Sequence, residues 1–406
     1  MSGILKGMRV VEGSAFVAVP LAGMTLAQMG ADVIRFDRVE GGLDAGRWPV
    51  AKSGASMFWA GMNKGKRSIA IDMKHPRGRE IISELICAPG EDAGLFITNL
   101  RVKGWMDYET LSARRPDLCM VTLTGDRAGR PAVDYTVNPA LGFPMATGPE
   151  GSTEPVAHAL PAWDCIAGNM VVSALLAAER KRLRHGHGSA VDLALKDVAA
   201  AMLGHLGVIG EVEVNGISRP KSGNALYGAY GQDFICADGN RVMVIGLTDN
   251  QWRGLQKVTG TTEAIAALET QLGTSLKGEG ARWEHRHAIT DVLRPFFATR
   301  RVADFAEAFE KAGVTWSQFR DFKQAVAEDE DMSLDNPMFT MLDQPGIGRY
   351  RVPGTPMSFS HDPREAPRRA PVLGEHTEAI LGDVLCLPDS EIASLFDEGV
   401  VKQGKP

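Results

Sequence analysis

Asp164 follows Pro161-Ala162-Trp163 and opens a long apolar stretch, Asp-Cys-Ile-Ala-Gly-Asn-Met-Val-Val-Ser-Ala-Leu-Leu. Two kinds of chemistry fit a carboxylate there. Aspartate is a preferred helix N-cap, and on position alone that reading is favoured. A carboxylate is also a recognised covalent nucleophile, and the amides of a helix N-terminus can stabilise a developing oxyanion. A second group of residues is cationic: Arg35 and Arg38, then Lys64, Lys66 and Arg67, then Arg101 and Lys103. Placed at strand ends they would hold phosphates; spread over a surface they would be a solvated face. The turn Gly13-Ser14-Ala15-Phe16-Val17-Ala18-Val19-Pro20 is small-residue-rich but is not GxGxxG. It reads either as a plain βα turn or as a place where backbone amides meet a ligand.

Other chemistries find little support. The nine histidines, among them His158, His285 and His287, make no HExxH or other metal-binding spacing, and His285 and His287, two apart, lie on different helix faces. No metal site is expected. No GxSxG elbow and no Walker loop occurs. The cysteines Cys87, Cys119, Cys165, Cys236 and Cys386 are odd in number, widely spaced and without a CxxC pair, which argues against a disulfide framework or a structural zinc. A reducing compartment suits them.

The elements that must position these residues follow a repeating pattern. Met8–Glu12 reads as a buried strand, Leu21–Met29 as a helix with Pro20 near its start and Gly30 past its end, and Ala31–Phe36 as a second strand. This is the βαβ signature of a parallel sheet. Ser68–Asp72, Gly94–Thr98, Leu118–Leu123 and Ala190–Leu195 read as further strands, with helices at Pro76–Ile86, Tyr108–Arg114 and Asp164–Leu183. Near Arg219 the composition turns polar and glycine-rich, so a boundary is expected there. Beyond it Phe234–Ala237 and Arg241–Ile245 form a hairpin about Asp238-Gly239, and four helices follow between Asn250 and Ala312. The expected architecture is α/β: a large Rossmann-like domain with a parallel sheet from residues 1–218 and 330–406, and a smaller α+β domain over 219–329. A strand pair near Phe339–Leu342 and Arg349–Val352, the proline-rich run Pro363–Pro371, and tail helices at Glu375–Val384 and Pro388–Phe396 complete the large domain.

The 406 residues suffice for a sizeable core without staples, and two or three domains are expected at roughly 150 residues each. A formal net charge of −6 points to no nucleic-acid or anionic-membrane partner. The N-terminus lacks a secretory apolar core, and the most apolar stretch, Met170–Ala178, is too short to span a bilayer. The reading is a cytoplasmic protein.

Several stretches together resemble the class III CoA-transferases, the group that also contains the acyl-CoA racemases. They are LKGMRVVEGSAFVAVPLAGMTLAQMGADVIRFDR, NKGKRSIAIDMKHPRGRE, LFITNL, WDCIAGNMVVSALLAAERKR, GHGSAVDLALKDV, YGAYGQDFICADG and LGEHTEAIL, in that order along the chain. The resemblance implies an interlocked homodimer and an acyl-CoA thioester as substrate, with no cofactor beyond the CoA moiety. It places Asp164 at the catalytic aspartate and Val17, Ala18, Arg38, Arg67 and Asn99 at CoA-contacting positions. Asp134 stands where a lysine is often found. The racemases carry a histidine base about 30 residues before the aspartate; here that stretch is Ala132–Asn138, with none.

Within the family, GGLDAGRWPV, VDYTVNPALG and LPAWD resemble members that move CoA between the two carboxyl groups of one C5 unsaturated dicarboxylate. The implied route runs through an aspartyl-CoA thioester. It requires a cation for the idle carboxylate, for which Arg47 is the candidate, and a closed pocket, for which the loop Gly223–Gly231 is either a lid or an ordinary linker. An intermolecular CoA-transferase, a 2-methylacyl-CoA racemase using His158, and a CoA-binding protein without catalysis, which would keep the basic cluster but not depend on Asp164, remain as alternatives.

Overall fold

A computed structural model describes residues 3–362 and 364–405. Pro363, the first residue of the proline-rich run, lies outside the described residues. The chain forms two compact units. The first gathers the chain up to Leu141, Ala159–Gly210 and everything from Glu330 onward; the second gathers Gly142–His158 and Glu211–Asp329. The sequence boundary at Arg219 thus falls eight residues after Glu211, and the segment 142–158 clusters with the second unit rather than the first. That segment is short and lacks an apolar run of its own, so its attachment carries no signal in the sequence.

The first unit is built on a seven-stranded sheet. Its parallel strands are β1 (Arg9–Gly13), β2 (Asp32–Asp37), β3 (Arg67–Ile71), β4 (Leu95–Thr98), β5 (Cys119–Thr124) and β6 (Ser189–Ala194). The order is Val401–Lys402, β3, β2, β1, β4, β5, β6, with only Val401–Lys402 antiparallel. The apolar runs of β1, β2, β4 and β5 are explained by burial on both faces. One face carries Val11, Ile34, Phe36, Ile69, Ile71 and Phe96, all fully buried against Ile81, Ile82, Leu85, Leu111, Ile380, Ile392 and Leu395. The tail helices therefore fold back onto this sheet, as the sequence suggested. Val10, Val33, Leu95, Ile97 and Val121 are buried on the other face.

The helices up to residue 185 are α1 (Ala18–Gln28), α2 (Met57–Met62), α3 (Pro76–Cys87), α4 (Tyr108–Arg114), α5 (Asp134–Ala140), a single turn α6 (Phe143–Ala146) in the second unit, and α7 (Ala162–His185). Helix α1 begins three residues before the expected Leu21 and takes Pro20 into its first turn, where a missing N–H costs nothing. Helix α7 ends at Gly186 in the left-handed conformation, with Arg182, Arg184 and His185 in its last turn. The strand order reverses between β1 and β4, with β2 on one side of β1 and β4 on the other. In an open parallel sheet, a crevice opens at the carboxyl ends of two such strands.

The second unit has its own core. A three-stranded antiparallel sheet of Tyr230–Ile235, Arg241–Gly246 and Thr315–Gln318 packs on Trp252, Leu255, Leu293, Phe297, Phe305 and Phe309. The expected hairpin is present, with the Cys236 N–H donating to the Asn240 carbonyl at 2.8 Å and Gly239 at φ +79°. Between Asn250 and Ala312 the chain also forms the helices Glu279–Glu284 and Arg286–Ala298, which meet at His285. Among the described residues no helix is long and apolar enough to cross a membrane, and no three His, Cys, Asp or Glu side chains gather at metal-binding spacing.

Candidate active site

Beneath the carboxyl ends of β1 and β2 lies a fully buried ion network. The Arg35 guanidinium grips Asp37 with two hydrogen bonds of 2.8 and 2.9 Å and reaches Asp44 at 2.9 Å and the Ser14 carbonyl at 3.1 Å. Lys66 donates to Glu12 at 2.9 Å and to the Pro20 carbonyl at 2.9 Å. The Arg35 guanidinium also sits 4.5 Å from the Trp59 ring. Removing this many charges from water is tolerable only because each finds partners at short range. Its effect is mechanical: it ties the β1–α1 turn, the start of α1 and the loop after β2 into one rigid body. Gly23 permits the approach, since a Cβ there would meet Glu12 at 1.7 Å.

Arg35 and Lys66 are therefore neither phosphate ligands nor a solvated face. Lys64 is buried as well, and burial followed by the neighbouring Lys66 charge pushes its ammonium down to about 8. Arg67 opens β3, at the amino end of the sheet, and pairs with Asp32 at 2.8 Å. Arg38 and Arg101, by contrast, line a cleft of about 680 Å³ at the carboxyl ends of β1, β2, β3 and β4, together with Asn99, Lys74, Arg79 and Trp105. This is the crevice the strand order calls for. Of the residues expected to touch CoA, the structure brings Arg38 and Asn99 to it. Val17 and Ala18 have buried side chains, leaving their backbone amides at the uncapped N-terminus of α1. Lys74 and Arg79, on the β3–α3 turn and in α3, also line the cleft, and no motif in the sequence marks them.

Asp164 sits in the first turn of α7, whose N-cap position is Pro161. It does not cap the helix. The amides of Trp163 and Asp164 both donate to Asp134 Oδ2, at 2.7 and 3.2 Å, and the Trp163 indole N–H donates to Asn138 Oδ1 at 3.1 Å. Asp134 and Asn138 are one turn apart on α5 and so present one face to the start of α7. Gly168, one turn after Asp164, lets α7 lie against the start of α1, where a Cβ would come within 2.7 Å of the Ala18 carbonyl. The Asp164 carboxyl has no hydrogen bond or ion pair among the described residues. Burial, then the Asp134 charge, push it up to about 6, with Arg47 acting in the opposite direction.

Arg47, which exerts this opposing charge, stands on the loop after β2. Its guanidinium lies 5.2 Å from the Phe16 ring and 5.1 Å from the Phe58 ring. It is exposed, and among the described residues it makes no ion pair and no side-chain hydrogen bond. The Arg47 guanidinium thus stands over two rings with its fork free of protein acceptors among the described residues. Helix α5, the source of the cap, is missed from sequence because Pro139 and its shortness hide it. The glycine-rich loop Gly223–Gly231 belongs to the second unit.

Comparison with known proteins accords with this geometry. The model of CoA-transferase family III matches residues 5–377. The chain belongs to CoA-transferase family III. It is 56% identical to the 2-methylfumaryl-CoA isomerase of Chloroflexus aurantiacus, covering 99% of this chain and 98% of that protein. It is 27% identical to human succinyl-CoA:glutarate CoA-transferase, over 98% of this chain and 90% of that one. Among solved structures, a CAIB/BAIF family protein from Brucella suis superposes with a TM-score of 0.76 at 26% identity, covering 95% of this chain and all of the other. The family is thus the one that the ordered motifs resemble. Arg38, Lys74, Arg79 and Arg101 make the rim of the cleft cationic.

Proposed function

We propose that the protein moves CoA from one carboxyl group to the other of mesaconyl-CoA, an intramolecular transfer with Asp164 as the covalent carrier. The observation that carries this reading is the pairing of two unengaged groups, the Asp164 carboxyl and the Arg47 fork. The identity to the Chloroflexus 2-methylfumaryl-CoA isomerase supports the choice of substrate.

An Asp164 oxygen attacks the thioester carbonyl, and the tetrahedral adduct expels the CoA thiolate, leaving a mixed anhydride of aspartate and mesaconate. The thiolate then attacks the aspartyl carbonyl, forming aspartyl-CoA and releasing the substrate carboxylate. The other carboxylate attacks the aspartyl thioester and expels the thiolate again. Attack of the thiolate on the newly activated substrate carbonyl returns the Asp164 carboxylate. The net reaction exchanges one thioester for another, so the thioester energy is conserved and no external driver is required. A carboxyl raised to about 6 is still ionised at neutral pH, yet is poorly solvated and so a stronger nucleophile than one in water. Arg38 and its cleft would hold the CoA phosphates, and the α1 amides of Val17 and Ala18 the thioester end. Arg67, held by Asp32 at the amino end of the sheet, would contact CoA only if that pair opened.

A homodimer is part of the proposal. Leu206, Ile209, Val212, Val214 and Ile217 are exposed along one short stretch, more apolar surface than a solitary chain ordinarily leaves in water. The reaction is tested by incubating the protein with mesaconyl-CoA alone and following the two regioisomers by chromatography. Interconversion without added acid is expected. Its absence, with turnover only when a second acid is supplied, would replace this reading by an intermolecular transferase.

A further inference from the structure

We infer that Phe16 and Phe58 determine specificity at this site, by holding the Arg47 fork where the idle carboxylate of the substrate must lie. The inference rests on the proposed transfer and adds to it the parts that keep the diacid from leaving.

Neither ring is placed by chance. Phe16 has a left-handed backbone, φ +68°, which a bulky residue adopts only under constraint. The constraint is visible. Asn99, at the end of β4, clasps the preceding peptide from both sides: its Oδ1 accepts from the Ala15 N–H at 3.0 Å and its Nδ2 donates to the Ala15 carbonyl at 2.8 Å. Thr98 adds a hydrogen bond from Oγ1 to the Gly13 carbonyl at 2.7 Å. The turn between β1 and α1 is thereby fixed, and the ring of Phe16 with it. Such strain persists where the surroundings over-determine it, as they do at functional sites.

Phe58 is set from the other side. Ser56 caps α2 by accepting from the Trp59 N–H at 3.0 Å, and its hydroxyl donates to the Arg47 carbonyl at 2.6 Å. The same serine thus joins the backbone of Arg47 to the helix that carries Phe58. The Arg47 N–H donates to the Asp44 carbonyl at 3.2 Å, and the Asp44 carboxylate is locked by Arg35. Both rings and the backbone of Arg47 are consequently tied to the buried ion network, while the guanidinium carries no carboxylate of its own. A surface arginine without partners would sample many rotamers. This one stands over two aromatic rings, a contact that favours guanidinium over other cations.

The consequence is a division of labour. Asp164 makes and breaks the acyl bonds, whereas the two rings set how long the liberated diacid stays. Replacing one ring by an aliphatic side chain of similar volume leaves the pocket filled but frees the arginine.

The test compares wild type with Phe58→Leu and Phe58→Tyr, using mesaconyl-CoA in the presence of labelled free mesaconate. Two rates are read in one tube: isomerisation, and entry of label into the thioesters. In wild type, label entry is slow relative to isomerisation. In Phe58→Leu the ratio of label entry to isomerisation rises about two- to fivefold, the scale of one lost cation–π contact at an exposed arginine, and Phe58→Tyr restores the wild-type ratio. Phe16→Leu behaves like Phe58→Leu. Because a ratio is measured, loss of folded protein does not move it. An unchanged ratio in both leucine variants overturns the inference while leaving the transfer mechanism standing. Label entering wild type as fast as it isomerises overturns the retention reading itself, and the clamp with it.

Discussion

Asp134 Oδ2 lies 3.2 Å from the backbone nitrogen of Asp164 and accepts its hydrogen bond. The two carboxylates of the site are thus divided in role. Asp134 serves the helix, satisfying the amides that begin α7, and Asp164 is released from that duty. Without Asp134, the Asp164 side chain would be drawn back toward its own helix terminus, where it would be hydrogen-bonded, stabilised and unreactive. Asp134→Ala should therefore destabilise the protein by about 1–2 kcal/mol, the usual loss on removing a cap, and should lower kcat in the fraction that folds. A urea midpoint shift and a turnover assay on the same samples check both. An Asp134→Ala protein as stable as wild type would mean that the amides of Trp163 and Asp164 find another partner at no cost.

The nucleophile itself is tested by Asp164→Ala. Turnover should fall to the limit of detection with the fold retained, and hydroxylamine or borohydride added during wild-type turnover should mark Asp164 alone. Labelling of any other carboxylate would assign the covalent role elsewhere.

The raised carboxyl makes two linked pH predictions. Protonated Asp164 cannot attack, so kcat/KM should fall on the acid side through about pH 6. Stability moves the other way. The folded-state value lies above the ordinary 3.8, so the neutral form is favoured by the fold; that contribution is whole below about pH 4 and is lost as pH rises through 6. Asp164→Asn, which is neutral throughout, should accordingly be more stable than wild type at pH 7, by at most about 3 kcal/mol, with the difference closing toward pH 4. Thermal melts at the two pH values measure it. A variant no more stable than wild type at pH 7 would show that the ionised carboxyl is better solvated than its burial suggests.

How much of this was legible in the sequence depends on which forces wrote it. The apolar runs of β1, β2, β4 and β5 announce strands buried on both faces, and the small-residue turn after β1 sits where the strand order reverses. Arg38 and Asp164 stand out in the sequence because each belongs to an ordered set of motifs. Charge was the deceptive signal. Arg35, Lys66 and Arg38 look alike in the sequence, yet two are sealed in an ion network and one lines the cleft. What separates them is the alternation of faces along β2 and the arrival of Glu12, Asp37 and Asp44 from distant turns. Likewise α5 has no amphipathic period long enough to read, and its purpose appears only when Asp134 meets α7. Arg47 was named because the chemistry needs a cation; the rings that hold it were not, since Phe16 and Phe58 are 42 residues apart and join only through the fold.

Arg38 lines the cleft without a role in the ion network, so Arg38→Ala should raise the KM for the CoA ester with a smaller effect on kcat. Phosphate contacts are made equally in ground and transition states, and their loss appears as uniform binding. Steady-state kinetics over a range of ester concentrations decides the matter; an unchanged KM would put the CoA phosphates elsewhere.

The last prediction concerns Arg47 and asks whether the diacid is held between the two half-reactions. After the thiolate has moved to Asp164, the free mesaconate can either present its second carboxylate or diffuse away. A well-oriented neighbour reacts with an effective molarity that can reach about 10⁵ M or more, so a retained diacid outcompetes millimolar acid from solution by a wide margin. Retention needs an anchor for one carboxylate while the other reacts, and Arg47 is the unengaged cation that acts on Asp164. Arg47→Ala should then lose isomerisation far more than it loses formation of aspartyl-CoA, because the first attack does not depend on the far carboxylate being held throughout. Arg47→Lys should rescue poorly, since an ammonium lacks the planar fork and stacks less well between Phe16 and Phe58. Rapid quench with borohydride measures the aspartyl thioester, and chromatography the isomer, in the same reactions. Equal losses in both steps would place Arg47 in ground-state binding of the whole thioester, and the anchor for the idle carboxylate would have to be sought among other residues.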